Sequence, residues 1–341
     1  MHKRAPKIVD VARLAGVSTA TVSRALSKPE SVAESTRHAV LAAAAKSGYR
    51  VNLSARNLRR QKTGGIVVLV PNLGNPFFSE ILSGIETGLS KADFNMLVVD
   101  TRHAHLKPHL VTNHLHATRA DGIIALDGSL PEAVLAATRS GAGAPPIVFA
   151  CEWTPSQHFA SVRVDNARGA GLAISHLVDL GHRSIGMVCG PHDNVLTGAR
   201  TDGAMAEMNE RGLAFEPMAV FDGDFSLEAG ARAASDWLGL GSQPTAMFCQ
   251  SDLMAFGFIS ELARHGVRVP EDVSVVGFDD IDIARRFIPA LTTVLQPRAA
   301  LGLSAAEMLI DQVNGGLEPL DDIRVLDVEL IVRGSTRSVV S

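Results

Sequence analysis

One face of a short helical segment near the start of the chain carries side chains that could contact the edges of DNA bases. This face is small and polar apart from a single arginine: Thr19, Ala20, Ser23 and Arg24. A guanidinium group donates to both acceptors that guanine exposes in the major groove, and short neighbours allow a helix to approach closely. These residue types therefore predict a helix that lies in the major groove, with Arg24 reading a guanine.

Two short helices joined by a tight turn must position this face. Apolar residues at the spacing of one helical side define the first helix: Ile8, Val11, Ala12 and Ala15. Gly16 tolerates the left-handed conformation that ends a helix, and the Ser18 hydroxyl caps the next one. Val22 and Leu26 form the buried side of the second helix. A third helix over about 34–47 should pack on them through Val40, Leu41 and Ala44.

Residues 10–24 also match a known motif. The run Asp-Val-Ala-x-x-Ala-Gly-Val-Ser-x-x-Thr-Val-Ser-Arg resembles the start of the lactose-repressor (LacI) family of bacterial transcription regulators. The resemblance implies a homodimer on a pseudo-palindromic operator in double-stranded DNA. Its base-edge positions match Thr19, Ala20 and Arg24, and Thr21 and Ser23 would meet phosphates. An ordinary helical hairpin has the same periodicity, so the motif carries this prediction.

The segment from 52 to 60 is basic and contains few apolar residues. Alone it predicts a flexible linker, because a short isolated helix is hard to nucleate. The resemblance implies instead a hinge helix that folds when two copies pair in the minor groove. Leu58 would then wedge between base pairs, with Ala55 and Arg59 also on the DNA. Val51 stands where the family usually has proline, so the start of this helix is less fixed.

Charge divides the chain into two parts. Residues 1–64 carry 13 Lys and Arg against 3 Asp and Glu, a net charge of +10, whereas residues 65–341 carry 19 against 33, a net charge of −14. A basic head on an acidic body is typical of a protein that reads DNA. No apolar run reaches the ~20 residues that a membrane span needs. We therefore expect a cytoplasmic, nucleoid-associated protein whose three cysteines stay reduced.

From residue 66 onward, short β-branched runs alternate with helical segments, and the series restarts near residue 166. This pattern predicts an α/β body of two similar lobes, each a parallel sheet covered by helices on both faces. Further segments resemble the family, including 75–78, 176–183, 269–280 and 289–297. The resemblance implies a body like that of the periplasmic sugar-binding proteins.

The expected domains follow from these patterns. A helix-turn-helix DNA-binding domain should occupy residues 1–50, and the hinge and linker residues 51–64. The remaining 65–341 should bind the effector and form the dimer. Its first lobe should comprise about 65–164 and 295–323, and its second lobe about 165–294 and 324–341.

Aromatic and charged residues at the predicted strand ends should form a ligand site, because parallel sheets bind ligands at the carboxyl ends of their strands. In a two-lobed body the default site is the cleft between the lobes. The candidates are Phe77, Phe78, Trp153 with its neighbour Glu152, Arg200, Phe225, Asp252 and Asp279. Arg200 and Asp279 match positions where family members hold a ligand.

A guanidinium fork, a carboxylate and aromatic faces suit a sugar or a sugar acid, and a purine is an open alternative. Each candidate also has a plainer structural interpretation. The three phenylalanines could belong to the core, Asp279 could close a turn, and Asp252 could cap the helix that it opens.

Five histidines between His103 and His116 raise the question of a metal site. Their spacing matches no tight site, so a solvated helix face or a dimer contact is the preferred interpretation, and we expect neither metal nor cofactor. No nucleophile elbow, phosphate loop or metalloprotease motif occurs in the sequence, so we expect no catalysis. No leucine-heptad tail follows residue 330, which favours a dimer over a tailed tetramer.

The sequence therefore predicts a dimeric, effector-controlled transcription regulator, in the first instance a repressor. An effector in the cleft would change the angle between the lobes and so order or melt the hinges. An activator or a corepressor-dependent regulator is the main alternative. A cytosolic sugar sensor that does not read DNA, or an enzyme on the same scaffold, would belong to other classes.

Overall fold

The computed structural model describes residues 6–27, 29–49, 63–102, 120–139, 145–155, 159–213, 219–316 and 322–339. The chain divides into two compact units, Met1–Thr63 and Gly64–Ser341, which we call the head unit and the body unit. The predicted hinge with Ala55, Leu58 and Arg59 lies outside the described residues, and so does the stretch from His103 to His116.

Three helices form the head unit: α1 (Ile8–Ala15), α2 (Thr19–Ser27) and α3 (Glu34–Ser47). Gly16 ends α1 in the left-handed region with φ of 67°, as the sequence predicts. The Ser18 hydroxyl accepts a hydrogen bond from the Thr21 backbone N–H at 3.0 Å and caps α2. The turn between α1 and α2 is therefore set by two local signals.

The core of the head unit is small, and its buried members are Val11, Ala12, Val22, Ala25, Val40 and Ala43. The prediction for Leu41 is wrong, because this side chain is 49% exposed. Residues 40, 43 and 44 share one side of α3, whereas position 41 is rotated by about 100° from position 40. Ala43 therefore packs where Leu41 was expected.

The first lobe of the body unit is built on a six-stranded parallel sheet in the order β11-β5-β4-β3-β1-β2. The strands are β1 (Gly65–Val70), β2 (Asn95–Asp100), β3 (Gly122–Ala125), β4 (Ile147–Ala150), β5 (Ser161–Val164) and β11 (Ile323–Leu326). The central β1, β3 and β4 are apolar and almost wholly buried, as expected for strands covered on both faces.

The second lobe repeats this plan with the order β12-β10-β9-β8-β6-β7. Its strands are β6 (Ile185–Val188), β7 (Val220–Phe221), β8 (Ala246–Cys249), β9 (Ser274–Asp279), β10 (Thr292–Leu295) and β12 (Glu329–Ile331). All neighbours are parallel except β10 and β12. The predicted pair of parallel-sheet lobes is confirmed.

Helices cover both sheets: α4 (Phe77–Lys91), α5 (Glu132–Arg139), α6 (Asn166–Asp179), α7 (Val195–Glu210), α8 (Leu227–Leu238), α9 (Asp252–Arg264) and α10 (Arg298–Val313). Two of them, α4 and α7, begin near the cleft, at Phe77 and Val195. Asparagine side chains at positions 75 and 194 accept from the first-turn N–H groups of these helices, which extends them toward the cleft. Within the described ranges, no helix is long and apolar enough to cross a membrane.

In the described part of the chain, the backbone passes between the two sheets after β5, after β10 and between β11 and β12. The last crossing therefore lies at residues 327–328, a few residues later than the predicted boundary after 323. Pairing of β11 with β5, from Ile323 opposite Ser161 to Leu326 opposite Val164, keeps this segment in the first lobe. The carboxyl ends of both sheets face the cleft between the lobes.

Helices α4 and α10 of the first lobe approach each other through glycines. A Cβ built on Gly84 would lie 2.1 Å from the Ala299 carbonyl oxygen. We expect Gly84→Ala to force the helices apart and to lower the free energy of unfolding by about 1–3 kcal/mol. Urea denaturation followed by circular dichroism measures this change.

Gly198 in α7 is the matched control, because a Cβ there meets no atom within 4 Å. Gly198→Ala should raise the free energy of unfolding by about 0.5–1 kcal/mol, since alanine favours the helix. Equal effects of the two substitutions would contradict the close helix packing.

Candidate functional site

The head unit presents the predicted DNA-reading face on α2. Thr19, Ala20 and Arg24 are exposed, whereas Thr21 and Ser23 are half-buried. The Thr21 hydroxyl shares a hydrogen bond with the Ser18 hydroxyl at 2.9 Å. One side of α2 thus packs on the head core, and the other side is open to solvent.

A cavity lies between the two lobes of the body unit, and we call it the interlobe cavity. Its lining comprises Asn75, Phe77, Phe78, Cys151, Glu152, Leu196, Arg200, Phe225, Ser251 and Asp279. Both sheets contribute, since the first five residues belong to the first lobe and the others to the second. Small-molecule sites occur preferentially at such junctions between two lobes.

Three phenylalanines form the apolar part of the interlobe cavity. The rings of Phe77 and Phe78 meet edge to face with centroids 5.1 Å apart, in the first turn of α4. Phe225 has φ of +62°, which is a strained conformation for a bulky residue. Its ring packs on Gly190, where an added Cβ would lie 2.1 Å from the ring. The backbone is thus constrained to aim an aromatic ring at the cavity.

Arg200 is the cation of the interlobe cavity, and it is held on three sides. Its Nε donates to Asn166 Oδ1 at 2.9 Å, and its Nη1 donates to the Gln250 carbonyl at 2.5 Å. The guanidinium lies 3.8 Å from the centroid of the Phe278 ring. Burial lowers the pKa of Arg200, and the nearby Asp279 opposes this shift. Arg200 is therefore a fixed charge with little freedom to rearrange.

Asp279 ends β9 and lies near Arg200 on the second-lobe wall of the interlobe cavity. Its Oδ1 accepts from Gln296 Nε2 at 2.7 Å, and its φ is +125°. Burial raises the pKa of Asp279, and the positive charge of Arg200 works against that rise. Asp279 does not merely close a turn, because its carboxylate lines the cavity.

Asp252 is not part of the interlobe cavity lining as described, and it is not the helix cap. The Ser251 hydroxyl caps α9 by accepting from Met254 N at 3.3 Å. The buried Asp252 carboxylate instead accepts from Ile281 N at 2.9 Å and from the Thr293 hydroxyl at 2.5 Å. It thereby anchors the strained segment that follows β9.

The side chains of the neighbours Glu152 and Trp153 have different surroundings in the structure. Trp153 is absent from the described cavity lining and packs under Arg163, whose guanidinium lies 4.4 Å from the ring centroid. Cys151 has φ of +71°, and the turn that it makes aims Glu152 inward. Burial raises the pKa of Glu152 to about 7, although hydrogen bonds to its carboxylate oppose the shift.

Arg298 is a buried residue near the site for which the sequence predicted no role. It opens α10 directly after a crossing between the lobes. Its guanidinium donates to the Asp280 carbonyl at 3.1 Å and to the Phe77 carbonyl at 3.5 Å, and it lies 3.5 Å from Glu80. It thus ties the aromatic wall of the first lobe to the segment after Asp279. The available signal was a charged residue directly before the apolar first turns of a helix.

No cluster of three or more His, Cys, Asp and Glu side chains suited to a metal occurs within the described ranges. The predicted ligand residues that the structure brings together are Phe77, Phe78, Glu152, Arg200, Phe225 and Asp279. Sequence reasoning did not single out Cys151, Leu196 and Ser251, which follow strands or begin helices at the same sheet edges.

Two family models match the chain. The model for bacterial regulatory proteins of the lacI family matches residues 7–52, and the model for a periplasmic binding protein-like domain matches residues 174–336. The first range covers the helix-turn-helix, and the second covers most of the second lobe.

Known proteins resemble the chain over nearly its whole length. The HTH-type transcriptional repressor CytR of Escherichia coli K12 is 38% identical over 99% of this chain and 98% of its own length. The HTH-type transcriptional repressor PurR of Photobacterium profundum is 34% identical over 97% of this chain and 99% of its own length.

Solved structures show the same architecture. The lac repressor dimer bound to operator and the anti-inducer ONPF superposes with a TM-score of 0.83 at 28% identity, covering 98% of this chain and 100% of that one. A complex of the regulator CelR with cellobiose has a TM-score of 0.73 at 29% identity, and the match covers 97% of this chain and 99% of that one. The curated relatives are repressors rather than enzymes. The chain therefore belongs to the LacI family of DNA-binding transcription regulators and is not an enzyme.

Proposed function

We propose that the protein is a homodimeric repressor in the cytoplasm that binds a pseudo-palindromic operator and responds to a small molecule in the interlobe cavity. The observation that carries this proposal is the combination of an exposed reading face on α2 with a polar and aromatic cavity between the lobes of the body unit. Each head would read one half-site through Thr19, Ala20 and Arg24, with Thr21 and Ser23 on phosphates.

The central base step would be read by the hinge. Leu58 matches the family position that wedges into the minor groove, and Ala55 and Arg59 lie on the same segment of the sequence. Two hinges must meet for this contact, so the proposal requires a dimer.

Exposed apolar side chains on the body unit support a second copy as its partner. Ile288 is 90% exposed and Ile283 is 56% exposed, and Leu97 is exposed on the edge strand β2. Apolar groups at these positions lose contact with water when another subunit covers them. Sedimentation measurements at micromolar concentration should show twice the mass of one chain.

The charges of the interlobe cavity favour an uncharged effector over a sugar acid. Among the residues that line the cavity, Glu152 and Asp279 supply two carboxyl groups and Arg200 supplies one guanidinium, while Arg298 lies behind the lining. Arg200 already donates through Nε and Nη1 to protein acceptors, so its fork is not free to grip a carboxylate with two bonds. An uncharged sugar or nucleoside offers hydroxyl donors to both carboxyl groups and an apolar face to the phenylalanines.

Selection of bound duplexes from a random DNA pool tests the whole proposal. Enrichment of a pseudo-palindrome supports the dimeric reader, whereas its absence with and without added cell metabolites would contradict it. Melting-temperature shifts with uncharged sugars and nucleosides, compared with matched sugar acids and sugar phosphates, test the effector class. A shift caused by the acids alone would overturn the uncharged class.

Arg24 should carry much of the sequence selectivity. Arg24→Ala is expected to weaken binding to the selected operator by about 1–3 kcal/mol and to leave binding to unrelated DNA within about threefold. The matched control is Arg13→Ala, which removes an exposed arginine of α1 that lies 3.7 Å from Asp10. Equal losses on operator and unrelated DNA in a fluorescence-anisotropy titration would exclude base reading by Arg24.

A further inference from the structure

A hydrogen bond joins the two lobes inside the interlobe cavity. Asn194 Nδ2, just before α7 of the second lobe, donates to Glu152 Oε1, just after β4 of the first lobe, at 3.0 Å. Glu152 lines the cavity, and Asn194 precedes the helix that carries Leu196 and Arg200. The contact therefore connects the two walls at the place where a ligand would lie.

Both partners are held in this orientation by their own lobes. Asn194 Oδ1 caps α7 by accepting from Leu196 N at 2.8 Å, which leaves its amide N–H groups to face Glu152. The second oxygen of Glu152 accepts from Gly128 N at 2.8 Å. A Cβ on Gly128 would lie 2.5 Å from the Trp153 carbonyl oxygen, so the loop fits closely around the glutamate. Neither side chain must give up conformational freedom when the lobes meet.

Hydrogen bonds from Gly128 and Asn194 favour the carboxylate form of Glu152, whereas burial opposes that form and has the larger effect on its pKa. The amino end of α7 carries a partial positive charge toward Glu152. The ionisable groups around it are Asp127, Cys151, Arg200 and, across the cavity, Asp279. Burial holds the pKa of Glu152 near 7, so small changes at this group alter its charge at neutral pH.

We propose that Glu152 and Asn194 are positioning residues that form a latch and hold the lobes closed from inside the interlobe cavity. An effector hydroxyl that donates to Glu152 would compete with Asn194 for the same oxygen. The regulatory meaning of the latch rests on the proposed effector site, but the closure that it provides exists in the free protein.

Reversal of the hydrogen-bond polarity tests the latch. Asn194→Asp keeps an oxygen to cap α7 but replaces the donor with a second carboxylate opposite Glu152. In the double variant Asn194→Asp, Glu152→Gln, the introduced amide can donate across the cleft and still accept from Gly128. Hydrogen–deuterium exchange is measured on the full chain without DNA or ligand.

Asn194→Asp should speed amide exchange by about tenfold in both the 126–130 loop and the first turn of α7, because each lies on one wall of the cleft. The double variant should return both segments to within about threefold of the wild-type rate. Three results would each overturn the latch. They are an unchanged exchange rate in the single variant, an increase that is confined to α7, and a double variant that exchanges as fast as the single one.

A pH profile separates the latch from a merely structural role. In a Trp237→Phe background, Trp153 fluorescence reports on its neighbour Glu152 and should titrate with a midpoint near pH 7. Adding Glu152→Gln should abolish this titration, and a persisting midpoint would overturn the role of Glu152. These measurements use neither operator nor effector, so their failure is distinguishable from a failure of the proposed function.

Discussion

Arg200→Ala is expected to lower the free energy of unfolding of the body unit by about 3–5 kcal/mol and to abolish the response to effector. Loss of the guanidinium leaves Asn166 Oδ1 and the Gln250 carbonyl without their donor. It also removes the larger of the two positive charges, Arg200 and Arg298, that favour the charged form of the buried Asp279. Buried polar groups that lose a partner keep their full desolvation cost, so the effect exceeds that of a surface ion pair.

Urea unfolding followed by circular dichroism measures the loss, with Arg168→Ala as the matched control. Arg168 forms an ion pair with Asp327 at 3.0 Å, and both side chains are largely exposed. Its removal should change the free energy of unfolding by less than about 1 kcal/mol. A loss below about 1 kcal/mol for Arg200→Ala would show that the cavity adapts to an unpaired carboxylate. At a temperature where the variant is folded, operator binding should persist without an effector response.

The stability of the body unit should fall as the pH rises through the titration range of Glu152. Its pKa is raised from an ordinary value of 4.5 to about 7. The folded chain therefore binds more protons than the unfolded chain between these two values. This group stabilises the fold fully below the unfolded pKa, and the contribution is lost as pH rises through the folded pKa. The expected loss is about 3 kcal/mol between pH ~4 and pH ~8.

Comparison with Glu152→Gln isolates this group from the other titrating side chains, including Asp279, whose pKa is also raised by burial. The difference in free energy of unfolding between wild type and variant should shift by about 3 kcal/mol over this pH range. Glu86→Gln, at an exposed position of α4, is the control for the Glu-to-Gln substitution itself. A constant difference for Glu152→Gln would show that the Glu152 carboxylate stays hydrated in the folded protein.

The head unit and the order of elements were predictable because their signals are local. The apolar spacing of α1, the left-handed Gly16 and the Ser18 cap each act within one or two helical turns. The alternation of strands and helices likewise predicts two parallel-sheet lobes, since buried strands must be continuously apolar. The prediction for Leu41 was wrong because its position on α3 is rotated by about 100° from Val40, away from the side that Ala43 and Ala44 share.

Placement of the aromatic wall was predictable for a related reason. Residues just after parallel strands meet at one edge of a sheet, so Phe77, Phe78 and Asp279 could be assigned to one cleft from their positions alone. Arg200 was predicted as a ligand residue from the family resemblance, and the structure shows its contacts with Asn166, Gln250 and Phe278.

The amino-acid sequence by itself therefore determined the helix-turn-helix, the two-lobed scaffold and most of the residues that line the interlobe cavity. Only the tertiary structure decided that Glu152 rather than Trp153 faces the cavity. It also decided that Asp252 accepts a hydrogen bond from the backbone of Ile281 and that Arg298 bridges the lobes. Those roles depend on which backbone groups from distant segments meet in space. Residue type and spacing encode the direction of a side chain within one element, whereas the partner opposite it is set by how two lobes pack.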